Sequence, residues 1–252
     1  MRVPYYLALM VVLLCGVAAS EADETKSRPG QPDSLEALKQ EAVKKVGPEA
    51  YAIGDVQIDA AAREIHFPAV VNMNEGLIEV VISTPGGKLH ESILVASIQP
   101  LHLHAALLLL GLIPGSNPGW YLLPDPSMRP EGWDRPPGSR VNVFVSWDTP
   151  GGLREVRAES LLMDIRSGDT MPKTDWVFIG SGLSPRGMYF AEEIGSLMTS
   201  YHDFTAVLDN PLKAGRLDEF MHADPTVVPG PGTTVRIRMI PLDDNEQDAQ
   251  NE

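Results

Sequence analysis

The hydrophobic pattern changes period several times along the chain, and each change marks an element. Tyr5 to Ala19 is apolar almost throughout, about fifteen residues, which is short for a bilayer span. Residues 21–33 are polar, contain Pro29 and Pro32, and read as a flexible linker. Over 35–46 the apolar positions Leu35, Leu38, Ala42 and Val46 recur at helical spacing. Asp33 with Glu36 three residues later is a variant of the capping box, and Gly47-Pro48 ends the helix that this spacing predicts.

From Tyr51 the period becomes two. Val56-Gln57-Ile58-Asp59 and Glu64-Ile65-His66-Phe67 read as paired strands around a short turn. Residues 77–84 and 88–96 flank Pro85-Gly86-Gly87, and residues 140–147 and 153–158 flank Pro150-Gly151-Gly152. Pro then Gly predicts a type II turn closing an antiparallel hairpin in both places, with positive φ at Gly86 and Gly151. Both turns read Thr-Pro-Gly-Gly, which convergence on one local requirement explains better than an internal repeat. Between them, residues 101–112 are apolar nearly throughout, with Pro100 at a first-turn position and Gly111 and Pro114 near the end. That predicts a short buried central helix. Residues 114–139 hold seven prolines and read as a loop. Beyond it the pattern predicts a strand at 175–179, a helix at 191–199, a strand at 203–208, a helix at 212–222 and a final strand at 233–240. The expected fold class is therefore α+β: a mostly antiparallel sheet built of hairpins, a short buried central helix and a few flanking helices.

Composition divides the chain of 252 residues into a signal peptide at 1–20, the linker at 21–33, one globular domain at 34–241 and an acidic tail at 242–252. Met1-Arg2 is a minimal positive n-region, and Ala18-Ala19-Ser20 suits signal peptidase. An uncleaved anchor, or a lipidated Cys15, is the alternative. Cleavage would leave a periplasmic or extracellular protein with no stable membrane span. The formal charge of −14 repels phosphate backbones, which argues against nucleic acid as a partner. Cys15 is the only cysteine, so the processed chain has no disulfide, thiolate nucleophile or Fe–S cluster.

Four words in order resemble one family: Phe67-Pro68-Ala69-Val70-Val71-Asn72; Gly87-Lys88-Leu89-His90-Glu91-Ser92; His102-Leu103-His104 running to Gly111; and Trp176-Val177-Phe178-Ile179-Gly180-Ser181. Together they resemble the YdjY-domain proteins, over about Gly54 to Pro211. The resemblance implies an exported bacterial protein and brings no assigned activity with it. Some members are described as ferredoxin-like, but a processed chain without cysteine has no ligands for a cluster.

Imidazoles and a carboxylate suit Zn²⁺ or a similar ion, which makes His90, His102 and His104 the candidate metal ligands and Glu91 a candidate base. Periodicity opposes the set, because residues two apart on a helix point about 200° apart. Buried histidines bonded to backbone groups are the alternative. Ser92 shares a strand face with His90 and is the second catalytic candidate, although no nucleophile elbow surrounds it. Trp120, Tyr121 and Trp133 offer a stacking platform for a sugar or peptide, or else pin the loop to the core. No cofactor is expected, and a divalent metal is the one this pattern allows. The leading expectation is a non-enzymatic binding module of the cell envelope, its partner an envelope protein or a small ligand. The rival is a metal-dependent, hydrolase-like enzyme centred on the three histidines. N-terminal sequencing of protein from the envelope or medium should begin at Ser20 or Glu21. An intact Met1, or a lipid on Cys15, would overturn the cleavage site.

Overall fold

A computed structural model describes residues 43–115, 136–184 and 186–242. Its frame is three long strands whose sequence alternates: β4 (Glu64–Val71), β7 (Arg140–Thr149) and β14 (Thr234–Pro241). Ile65, Phe67, Ala69 and Val71 of β4, Val141, Val143 and Val145 of β7, and Val235, Ile237 and Met239 of β14 are buried. Their neighbours Glu64, His66, Arg236, Arg238 and Phe144 take the other face, as a period of two requires. β14 lies between β4 and β7 and is antiparallel to both.

The shorter strands are β1 (Lys44–Lys45), β2 (Ala50–Ile53), β3 (Val56–Asp59), β5 (Val80–Ser83), β6 (Ser92–Val95), β8 (Gly152–Arg157), β9 (Leu162–Asp164), β10 (Trp176–Phe178), β11 (Ser196–Thr199), β12 (Leu208–Asp209) and β13 (Met221–Ala223). Eight strands close a barrel in the order β4-β14-β7-β10-β12-β11-β5-β6, and β6 returns to β4 through Val70↔Val95 and Val71↔Leu94. Trp176, Phe67, Phe178, Ile82, Leu94 and other fully buried side chains supply the packed core. Each such side chain stabilises the fold by roughly 1.5–3 kcal/mol relative to exposure.

Two of the long strands serve the barrel with only half their length. One edge of β4 is taken by β14; on the other, Glu64–His66 pair with β3 and Val70–Val71 with β6. Pro68, which has no N–H to donate, falls in the gap between those two partners. β7 divides likewise, Arg140 and Val141 pairing with β10 and residues 144–149 with β8. The free halves leave the barrel as an antiparallel sheet in the order β1-β2-β3-β4-β14-β7-β8. A separate two-stranded ladder joins β13 to β9.

The expected α+β class is thus corrected to a mostly β fold with a closed eight-stranded barrel. Among the described residues only two α-helices form, α1 (Pro100–Leu109) and α2 (Phe190–Ile194). α1 is the anticipated apolar helix, with Pro100 in its first turn, and it packs against β3 and α2. The helix expected at 191–199 stops after five residues at Gly195, left-handed at φ 79, and Ser196–Thr199 become fully buried β11 in the barrel wall. Gly195 is compelled by proximity as well: a Cβ there would lie 2.6 Å from Gly87 Cα. The helix expected at 212–222 resolves into a 3₁₀ turn, Lys213–Arg216, and strand β13. Short apolar runs do not distinguish strand from helix by period, and neighbours in the barrel decided for strand. The strand expected at 203–208 shrinks to β12. Most of the helix expected at 35–46 lies outside the described residues, but Lys44–Lys45 at its end pair with β2 as a strand.

The two Thr-Pro-Gly-Gly turns have different fates. Thr149–Gly152 closes the expected antiparallel hairpin of β7 and β8, with Gly151 N–H donating to Thr149 Oγ1 (3.2 Å) and that hydroxyl donating to Gly152 O (2.8 Å). At 84–87 the turn also forms, Gly87 N–H donating to Thr84 O (3.0 Å), but it does not close a hairpin. β5 and β6 are parallel, and residues 84–91 carry the chain back to the start of β6 through a 3₁₀ turn, Leu89–Glu91. Neither Gly86 nor Gly151 takes positive φ, so neither turn is type II. Gly152 takes it instead, at φ 111, as in a type I turn closed by a glycine bulge. Gly152→Val should therefore cost about 1–3 kcal/mol in denaturant unfolding, whereas Gly151→Val stays within about 0.5 kcal/mol of wild type. The reverse order would show that the positive φ lies elsewhere.

Candidate functional site

The word Lys88-Leu89-His90-Glu91-Ser92 supplies both fastening and charge. Ser92 is buried, and its hydroxyl donates to Lys88 O at 2.5 Å. The Asn72 amide donates to Leu89 O (2.6 Å) and Ser92 O (2.7 Å), tying the turn to the end of β4. This commits the Ser92 proton to a carbonyl within the fold. His90 points outward, its side chain 77% exposed, with Nε2 3.7 Å from Glu91 Oε2.

Glu91 belongs to a charged cluster that the sequence did not reveal. Lys88 Nζ forms an ion pair with Glu79 and lies 5.6 Å from the Tyr201 ring centroid. Burial raises the Glu91 carboxyl above the usual carboxylate range, and the neighbouring Glu79 adds to the rise. Burial opposes the Lys88 charge, but the Glu79 hydrogen bond and charge outweigh it and raise the ammonium. Burial also pushes the Tyr201 phenol up, helped by the negative charge of Asp203. Tyr201 lies more than 110 residues from Lys88, and Glu79 and Lys88 stand nine residues apart on either side of a turn, so no helix or strand spacing announces the three together.

His102 and His104 stand on α1. His102 is buried. His104 Nδ1 lies 2.9 Å from Tyr189 Oη, and that hydroxyl donates to Gly180 O at 3.1 Å. The imidazole packs edge-on against the Phe178 and Tyr189 rings, and burial lowers its pKa against the opposing effect of Gly180. Among the described residues no three His, Cys, Asp or Glu side chains are grouped to hold one metal ion. Trp120, Tyr121 and Trp133 lie outside the described residues.

A His–Asp pair that the sequence reading missed lies deep in the protein. His202 Nδ1 is 3.6 Å from Asp209 Oδ2, and both side chains are sealed from solvent. Burial raises the Asp209 carboxyl, while its Oδ1 accepts from Asn210 N–H (2.9 Å) and Asp203 N–H (3.3 Å). These groups organise the chain around β12 from inside.

The accessible concavity is on the outer face of the sheet that leaves the barrel. A groove of ≈ 620 Å³ runs from Gln57 on β3, past His66, Arg236 and Ser146, to Asp148 and to Leu153 on β8. Strand register sets these residues side by side: Gln57↔His66, Arg236↔Ser146 and Asp148↔Leu153 are direct partners. Two arginines on β14 project to this face, two residues apart. Arg238 is held by Glu64 (2.9 Å) and Glu155 (2.6 Å) and stacks 4.5 Å from the Phe144 ring centroid. Arg236 is exposed, and among the described residues no carboxylate pairs with it. Five strands at about 4.8 Å spacing make the groove about 19 Å across, long enough for an extended ligand.

No helix among the described residues is long and apolar enough to cross a membrane. No curated protein and no solved structure matches the chain. The YdjY domain matches residues 56–240, which spans β3 through β14 and with them the barrel, the charged cluster and the groove. On that match the chain belongs to the YdjY-domain family.

Proposed function

We propose that this chain is an exported, non-enzymatic binding module of the cell envelope, with the groove on its outer sheet face as the ligand site. Export is supported by the apolar N-terminal stretch and the small residues that follow it. The observation that carries the binding role is the contrast between the two arginines. Arg238 is neutralised twice over, whereas Arg236, two residues along the strand, stands in the groove with no carboxylate paired to it among the described residues. In a chain of formal charge −14, a guanidinium that is in no ion pair among the described residues and stands in a concave site is a ready point of attachment for an anion. The volume of ≈ 620 Å³ is inside the range of roughly 300–1,000 Å³ usual for ligand sites.

The test is amide chemical-shift mapping on the ¹⁵N-labelled protein against soluble fragments of the bacterial envelope. Fragments that bind should move the resonances of Gln57, His66, Arg236 and Leu153. Arg236→Ala should weaken binding about 10- to 100-fold, the loss of one charge-assisted contact of about 1.5–3 kcal/mol. Its stability should stay within about 0.5 kcal/mol of wild type, because the side chain is exposed. Shifts confined to Lys88, Glu91 and Tyr201 would move the site to the charged cluster and overturn this reading.

A further inference from the structure

We infer that the groove receives an extended peptide segment that carries a carboxylate beside an aliphatic side chain. The inference rests on the groove reading and names its ligand. Three features of the lining carry it.

The first is the order of chemical groups along the groove. An amide stands at one end (Gln57), the free guanidinium of Arg236 in the middle, and an aliphatic side chain at the other end, Leu153, which is 65% exposed. A ligand that matches this order needs hydrogen-bonding groups, then an anion, then an apolar group, spread over about 19 Å. A peptide main chain with a Glu or Asp next to a Leu or Val offers that sequence of groups.

The second is the second charge. Asp148 lies two residues along β7 from Ser146, the direct partner of Arg236, so the two side chains are diagonal neighbours about 7–8 Å apart at the backbone. No ion pair joins them among the described residues. The site therefore presents a cation and an anion separately. Asp148 can accept from main-chain N–H groups on either side of a ligand carboxylate that is held by Arg236.

The third distinguishes peptide from sugar. A carbohydrate site is expected to expose an aromatic face for stacking. The aromatic side chains lining this groove, Phe67 and Trp147, are 2% and 6% exposed, and Arg154 lies 5.3 Å from the Trp147 ring centroid. Neither ring presents a face. Leu153 instead leaves exposed aliphatic surface in the groove, which suits a side chain rather than a sugar ring.

Three probes test the inference by amide chemical-shift titration of the labelled protein: the end-blocked peptide Ala-Leu-Glu-Leu-Ala, its Glu→Gln counterpart, and an oligogalacturonate. The acidic peptide should move the Arg236 and Leu153 resonances saturably. The Glu→Gln peptide should bind at least roughly tenfold more weakly. Arg236→Ala should abolish the difference between the two peptides, and Leu153→Ser should weaken both. Saturable shifts at the same residues with the oligogalacturonate alone would overturn the peptide assignment and leave the groove as the site. No shift at the groove with any probe or envelope fragment would overturn both. Equal binding of the two peptides would exclude Arg236 as the carboxylate anchor and overturn the inference on its own.

Discussion

Strand β4 bonds to three neighbours: β14 and β6, whose pairings with it close the barrel, and β3, which continues the outer sheet. β14 occupies one edge for most of its length, while β3 and β6 share the other. A closed ring needs a strand whose far end meets the last strand of the sheet, and Val70–Val71 against Val95 and Leu94 is that seam. The near end of the same strand is then free to found a second sheet. β7 repeats the division on the other side of β14, so three strands support both the closed core and an open outer face. The alternation of these strands is what makes two uses compatible. Alternate side chains pack into the core, and His66, Pro68, Ser146, Asp148, Thr234 and Arg236 of the opposite phase line the groove.

A barrel with parallel pairs in its wall needs connections that run back along the strands, and those connections carry polar groups inward. Here the connections are fixed by side-chain hydrogen bonds, several of them buried. Ser92 and Asn72 hold the return to β6 by its carbonyls, and Asp209 gathers N–H groups around β12. Ser200 donates to Ile78 O and Asn210 to Ser200 O, both at 2.6 Å, which links the β11–β12 loop to the entry of β5. Buried polar groups satisfied in this way select one arrangement of loops, since leaving one unpaired costs about 1–3 kcal/mol. The same demand engages the Ser92 hydroxyl and the Asp209 carboxylate in holding the chain.

Electrostatics separate what is structural from what is available. Arg157 bonds Glu159 and Asp175, Arg166 bonds Asp164, and Arg238 bonds Glu64 and Glu155. Against that background Arg236 stands out by its neighbours rather than by its type. Pro68 and Ser146, its direct partners across the sheet, are uncharged, and among the described residues no ion pair joins it to Asp148 in the same groove, whereas Arg238 reaches both Glu64 and Glu155.

Much of the local structure was legible in the residues. Alternation placed β3, β4, β7 and β14, the apolar run after Pro100 placed α1, and the repeated Thr-Pro-Gly-Gly placed two turns. The family was legible too, because its words are local. What those elements join was not. The turn at 84–87 forms as its residues demand, yet β5 and β6 run parallel, because a turn sets a chain reversal of four residues and not the destination of the strand that follows. Ser196–Thr199 became strand and not helix because the barrel wall had a place between β12 and β5, which outweighs a weak local preference. For the site, Glu91 and the histidines were visible as residue types, whereas the Glu79–Lys88–Tyr201 cluster and the uncompensated Arg236 exist only after distant strands align. The sequence by itself determined the period of the long strands, the position of the two turns and the family, since these depend on neighbours along the chain. Only the tertiary structure decided barrel closure, the groove and which charge stays free, since these depend on register between strands up to 174 residues apart, as Glu64 and Arg238 are.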